Sequence, residues 1–347
     1  MSRILAITAL LVVLAAPAAA QTATADATRA KQQPTSWAQA EIKLVVGHGL
    51  MAKTVRSFKP DDPLTRGALS SLLAGLTGVP SVTPSSAGPV TIAQLDAGLV
   101  RALDLTGAAT EFAVAARSAG LAPPSRFGTE VVARLLGLRT NHPARLDSLE
   151  LLPKEPATRA EAAYSAAQVL RFRGSEAQNV EQLAQSFELP TLTGWQKQVL
   201  KTAVRFIGYP YVWGGTSEVA EAPVGVQAHG GFDCSGFVWR VYKLQSYPGG
   251  AALAGTLKGR TTFAMSAEVP AAKRISFAQL KPGDVLFWGA HGRRSKPAEV
   301  DHTGLYLGNG WFIHSSEYGV ALAPLSGWYK QRFAWARRPL VEAGLPG

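Results

Sequence analysis

The chain has 347 residues, is 47% hydrophobic and carries a formal net charge of +11, which gives length for two cores and excludes a disordered chain. The charge is uneven: residues 195–347 hold 17 Lys+Arg against 9 Asp+Glu, a surplus of 8, whereas residues 21–194 hold 17 against 15. A basic balance suits nucleic acid, but there is no Walker loop, zinc-finger spacing or basic helix with interleaved aromatics, and an export signal at the amino terminus points away from such a partner.

That signal consists of Arg3, an apolar run from Ile4 to Ala16, and Pro17-Ala18-Ala19-Ala20-Gln21. Cleavage after Ala20 is expected, so residues 1–20 read as a signal peptide, shorter than a typical membrane span and leaving no transmembrane segment in the mature chain; the alternative is an uncleaved anchor. Residues 21–36, rich in Ala, Thr, Gln and Lys without an apolar period, read as a flexible tether. Folded sequence begins near Trp37. Trp37, Ile42, Val45, Val46 and Leu50 fall on one helical face, and the loop from Phe58 leads to Thr65, the expected N-cap of a second helix from Arg66 to Leu76. The pattern returns at Leu151–Glu161, where Arg159 lies 93 positions after Arg66. A middle unit would fit between them, with helices over Val90–Leu103 and Glu111–Gly120, but no Thr-Arg pair marks it, so it is expected to be degenerate or absent.

This helix, loop, Thr-Arg, helix unit resembles an S-layer homology repeat. The resemblance implies a wall-binding all-α domain over residues 37–173, with Arg66 and Arg159 as candidate polysaccharide-binding residues; the alternative is that both arginines only brace helices. Ala68 stands where the family usually carries an acid. His48 and His142 read as surface or loop histidines, since neither has a second ligand at metal spacing. The polar stretch 174–194 reads as a linker, and Gly194-Trp195 opens a second domain over residues 195–340.

In that domain a helix over Gln196–Ile207 leads to Tyr209-Pro210-Tyr211. Cys234 is the only cysteine, so it has no internal disulfide partner, and in an exported chain that leaves a nucleophile or an intermolecular thiol. Gly230-Gly231 before it, and Phe237, Val238, Val241 and Tyr242 at helical spacing after it, start a helix at Asp233 or Cys234 with Asp233 as N-cap. A thiol in that first turn faces unpaired N–H groups and the positive end of the helix dipole, both of which favour thiolate. The bland alternative is a small buried hydrophobe. Further on, two short strands around Gly308-Asn309-Gly310 carry His302 and His314. Strand alternation puts both histidines on one face only if the turn has three residues, or a bulge restores the same register. Cys234 as nucleophile, His302 as base and His314 as the group orienting the imidazole form a cysteine-peptidase constellation.

The run Tyr209–Gly215, then Asp233–Phe237, then Leu280–Phe287, then the His302 strand resembles the NlpC family of papain-like cell-wall cysteine peptidases, in family order. The resemblance implies an α+β fold, an antiparallel sheet packed on the cysteine helix, and a secreted, wall-associated hydrolase. Its substrates would be peptidoglycan stem peptides, cut between D-glutamyl and diaminopimelate, with no cofactor and no metal. It also assigns Tyr211 to the cleft, and Asp233 and Ser235 to the free amine and backbone of a stem peptide; alternatively Tyr211 packs in the core, and Asp233 and Ser235 only cap the helix. Two long segments, 216–232 and 289–301, are expected to border the cleft and set specificity. His229 stands in a glycine-rich loop without an orienting partner and is set aside as base. Three alternatives stay open: zinc held by Cys234, His302 and His314, a catalytically inactive wall-binding protein, and an acyltransferase using the same site.

Overall fold

The computed structural model describes residues 36–80, 87–222, 224 and 227–347; the expected signal peptide and the tether through residue 35 lie outside the described residues. The helical half begins with α1 (Gln39–Gly47), α2 (Arg66–Thr77), α3 (Ile92–Ala102), α4 (Thr106–Ser118), α5 (Phe127–Leu135) and α6 (Arg159–Leu170). Thr65, Thr91 and Thr158 each cap a helix, their hydroxyls accepting from the N–H groups of Ala68, Gln94 and Glu161. Each threonine follows a buried apolar residue and a proline: Pro63-Leu64, Pro89-Val90 and Pro156-Ala157. These three corners close on one another. Leu64 N–H donates to Ala157 O at 2.8 Å, Ala157 N–H to Val90 O at 2.8 Å, and Val90 N–H to Leu64 O at 2.9 Å. The middle unit is therefore present, though without the arginine. The shared signature is Pro-apolar-Thr; the arginine that follows threonine in two of the three units is not needed for the cap, because the hydroxyl already makes it.

The segment expected as a linker folds as well. Helix α7 (Glu176–Ser186) places Val180, Leu183, Ala184 and Phe187 at helical spacing on one face, and Val180, Ala184 and Phe187 are buried. The Phe187 ring lies 5.2 Å from that of Phe112 on α4 and 5.0 Å from that of Trp311. Its polar composition reflects the solvated faces of a helix docked along one narrow stripe. The apolar core runs through both halves without a break.

Helix α8 (Gly194–Arg205) opens on a Thr193–Gln196 capping box. A two-stranded ribbon, β1 (Thr216–Ser217) and β2 (Gly231–Phe232), leads into α9 (Cys234–Trp239). Then come β3 (Val285–Gly289), β4 (Val300–Gly308), β5 (Trp311–Ser316), β6 (Gly319–Pro324) and β7 (Phe333–Arg337). They form one antiparallel sheet in the order β6-β5-β4-β3-β7, and α9 packs on β4 and β5. The architecture is α+β, an antiparallel sheet on the cysteine helix preceded by an all-α region.

A buried polar network fastens the halves together. Arg134 pairs with Glu130 and donates to Gly208 O at 2.8 Å, ahead of the Tyr209-Pro210-Tyr211 segment. Arg139 pairs with Glu161, whose other oxygen lies 2.7 Å from His142 Nε2. His142, expected at the surface, is buried because the Trp37 ring covers it at 4.2 Å. Burial pushes Asp96 up to about 7 and Glu150 up to about 8. Both lie above their unfolded values, so the stabilisation tied to those protons is complete below about pH 4 and is lost as pH rises to about 8. Glu150→Gln keeps an acceptor for the His142 N–H and removes the titration. Its melting temperature is expected to gain about 5 °C on the parent between pH 5 and pH 9; an equal offset at both pH values in thermal melts would show that this carboxyl does not drive the alkaline loss.

Candidate active site

Helix α9 starts where the sequence predicts. Asp233 is its N-cap, in extended conformation, and its Oδ1 accepts from Gly236 N–H at 2.5 Å. Gly236 has to lack a side chain, since a Cβ there would fall 1.9 Å from the backbone oxygen of Gly215. Cys234 itself is half-buried. Burial around the thiol pushes its pKa up to about 12, the Asp233 charge adds to the rise, and the N–H groups of Ser235 and Thr303 pull the other way. The expected thiolate is therefore a thiol at rest. The helix runs only six residues before passing into a π turn over Arg240–Leu244, so its dipole is short, and burial outweighs both it and the N–H groups of Ser235 and Thr303.

The histidines stand on the β4–β5 hairpin. Leu305 pairs with Ile313 and Tyr306 with Phe312, then the register shifts and Gly308 pairs with Trp311. The turn is the two-residue Asn309-Gly310, with φ of 47° and 79°, both left-handed. Leu307 is the extra residue, and this bulge, not a three-residue turn, brings His302 and His314 to one face. Gly304 makes room for the pair: a Cβ there would sit 3.0 Å from that of His314. His302 Nε2 lies 2.8 Å from His314 Nδ1. A second bulge, at Asp301, follows the Trp288–His302 pair on the other edge of β4, and the Asp301 carboxylate meets Arg332 at 2.6 Å. Burial holds His302 down at about 4 against the pull of Asp301, and burial, with His302 beside it, holds His314 well below the ordinary imidazole value. Both imidazoles are neutral at pH 7.

Tyr211, Cys234 and His302 line one cleft of about 590 Å³, with Ser315 and Tyr329 on its walls and Asn141 reaching in from the helical half. Tyr211 thus faces the cleft, while Trp213 is 61% exposed. Asp233 and Ser235 are engaged with one another and with Arg260, which sequence reasoning missed. Arg260 reaches Ser235 Oγ at 2.6 Å, Asp233 Oδ1 at 3.1 Å and Gly214 O at 2.9 Å. No spacing ties Arg260 to the cysteine, so only the fold reveals it.

Of the two long segments, 289–301 reaches the cleft through Asp301, and the other charged residues of both lie outside its lining. Glu221 holds its own loop, accepting from Thr216 N–H at 2.6 Å; Glu218 pairs with Arg205 and Arg240; His229 pairs with Glu155 of the helical half at 2.9 Å. Among the described residues lining the cleft there is none of Arg293, Arg294 or Lys296. Arg159 turns inward to Met51 O and Phe58 O, both at 2.7 Å, with its guanidinium over the Phe58 ring, whereas Arg66 is exposed.

Residues 208–338 match the NlpC/P60 family and residues 32–69 the S-layer homology domain. The chain is 30% identical over 135 residues to a gamma-D-glutamyl-L-lysine dipeptidyl-peptidase of Bacillus subtilis, covering 38% of this chain and 36% of that protein. It is 35% identical over 152 residues to the murein DD-endopeptidase MepH of Escherichia coli, covering 43% and 48%. A solved NlpC/P60 family protein from Bacillus cereus is 28% identical across 45% of this chain and 43% of that one, with a TM-score of 0.32. The chain spans from about a fifth to about half of the length of the curated relatives it matches. The cysteine helix, the Tyr211 segment and the histidine hairpin all fall within residues 208–338, and that stretch is a domain of the NlpC/P60 family, with an S-layer homology unit at the head of the helical half.

Proposed function

We propose that this protein is an exported bacterial cell-wall peptidase that hydrolyses amide bonds of peptidoglycan stem peptides with Cys234, His302 and His314. The observation that carries this reading is the 2.8 Å contact of His302 Nε2 with His314 Nδ1, in a cleft that His302 and Cys234 share. With Nε2–H donating to His314, the lone pair of His302 Nδ1 is free to take the thiol proton as sulfur attacks the carbonyl carbon. The Cys234 N–H, at the first position of α9, has no intrahelical acceptor and suits the developing oxyanion. Collapse passes the proton from His302 to the leaving amine and leaves a thioester. Water, deprotonated by the same imidazole, then releases the acid and restores the thiol.

The named relatives include a gamma-D-glutamyl peptidase and a DD-endopeptidase, and the gamma-D-glutamyl bond to diaminopimelate is the one we favour here. The Asp233 carboxylate already receives Arg260, Gly214 N–H and Gly236 N–H, which favours cutting within intact stems over capture of a free amine. The helical half, residues 37–173, would hold the enzyme on wall polysaccharide, with Arg66 available at the surface and Arg159 committed to bracing. The test is mass spectrometry of muropeptides after digestion of purified peptidoglycan. New fragments ending at D-glutamate are expected from the parent and none from Cys234→Ala; equal digestion by both would remove the peptidase reading.

A further inference from the structure

We propose that Asn141, a residue of the helical half, is a substrate-binding residue of the cleft, its side-chain amide taking the peptide backbone of the stem; this rests on the reading of the cleft as a stem-peptide site. Asn141 lies on the loop that follows α5 and lines the same cleft as Cys234 and His302. Its backbone N–H donates to Glu317 O at 2.7 Å, which fixes it against the β5–β6 turn, itself part of the cleft wall. The loop is pinned on both sides of it: Arg139 to Glu161, His142 to Glu161, and Asp147 Oδ2 to Trp213 N–H at 3.3 Å. Those polar side chains are taken. The Asn141 amide is half-buried and, among the described residues, has no hydrogen-bond partner. One carbonyl acceptor beside two N–H donors is the complement of a peptide group, and the amide is uncharged, so it can meet a backbone without preference for a terminal amine or carboxylate. Because the loop is already ordered, binding through it costs little further entropy.

The experiment uses the full-length protein. In a Cys234→Ala background, binding of a disaccharide tetrapeptide muropeptide is measured by calorimetry with Asn141 intact, as Asn141→Ala and as Asn141→Asp; with Cys234 intact, the same Asn141 variants are assayed for turnover and for alkylation by iodoacetamide. Loss of a neutral hydrogen bond predicts affinity about fivefold weaker and KM raised to match, with kcat within about twofold and the alkylation rate unchanged. Unchanged affinity in both Asn141 variants overturns the proposal, as does a loss confined to kcat with slowed alkylation, which would mark a strut beneath the thiol–imidazole pair. If Asn141-dependent binding occurs but the parent cuts nothing, the peptidase reading fails and the binding site stands. If the muropeptide does not bind at all, both fail.

Discussion

His302→Gln is expected to lower kcat on stem peptides by a factor on the order of 10³–10⁴, the upper range of general-base contributions, with little change in KM. The size follows from the resting state. The thiol is pushed up to about 12 and the imidazole down to about 4, so no preformed ion pair supplies the nucleophile, and the proton has to move to His302 as the bond to carbon forms. Glutamine fills much of the same space but offers no basic nitrogen. The same neutral pair fixes the pH dependence. A histidine titrating at its ordinary value would give an acid limb near pH 6.5; His302 instead keeps its lone pair until the pH approaches about 4. Its folded value lies below the unfolded one, so the stability it contributes is complete above about pH 6.5 and is lost as pH falls toward 4. Turnover from pH 9 to 4, with circular dichroism on the same samples, separates the two effects. Alkylation of Cys234 at pH 7 should slow in step with kcat in His302→Gln, and full activity in that variant would place the base elsewhere.

Substitutions at His314 are expected to rank Asn above Gln above Ala, with kcat down by about tenfold for Asn and on the order of 10³ for Ala. The contact to His302 is made by Nδ1, two bonds beyond Cβ. The Oδ1 of asparagine occupies the same place along the side chain and can accept the same proton, whereas the Oε1 of glutamine lies one carbon too far. Alanine leaves Nε2–H of His302 without a partner beside Phe312 and Tyr329, whose rings pack on His314 at 4.8 and 5.3 Å. The imidazole is then free to turn and to switch tautomer, which removes the lone pair from Nδ1. In the proposed mechanism His314 positions the base, so its loss should fall on kcat and on alkylation rate and be recovered in part by asparagine. Equal losses for Asn and Ala would show that His314 does more than accept one hydrogen bond.

The sequence was most readable where local chemistry decides the structure. Asp233 had to cap because a carboxylate three residues before Gly236 meets its N–H, and Gly308-Asn309-Gly310 had to turn because two positive φ angles are needed there. Even so, the turn left two registers open, and the Leu307 bulge was one of them. What escaped depends on residues far apart in the chain. Arg260 reaches Asp233 across 27 positions and Asn141 reaches the β5–β6 turn across 176, with no periodicity to announce either. The thiol was misjudged for the same reason, since helix position is local and desolvation is not. The middle helical unit was legible but read through the wrong residue: Thr91 carries the cap and Ile92 stands where an arginine was sought.

The three backbone bonds joining Leu64, Val90 and Ala157 make a closed circuit. In an open solenoid each repeat touches only its neighbours, so end units can fray while the rest holds. Here the first unit touches the last as well as the middle, and none is terminal. Removing any one exposes buried surface on both survivors. With Phe187 and Trp311 carrying the same core into the sheet, loss of one corner reaches as far as the strand that carries His314. A protease that nicks one helical loop therefore frees no separate catalytic fragment. Digestion should pass from intact chain to small peptides with no stable product near residues 195–347.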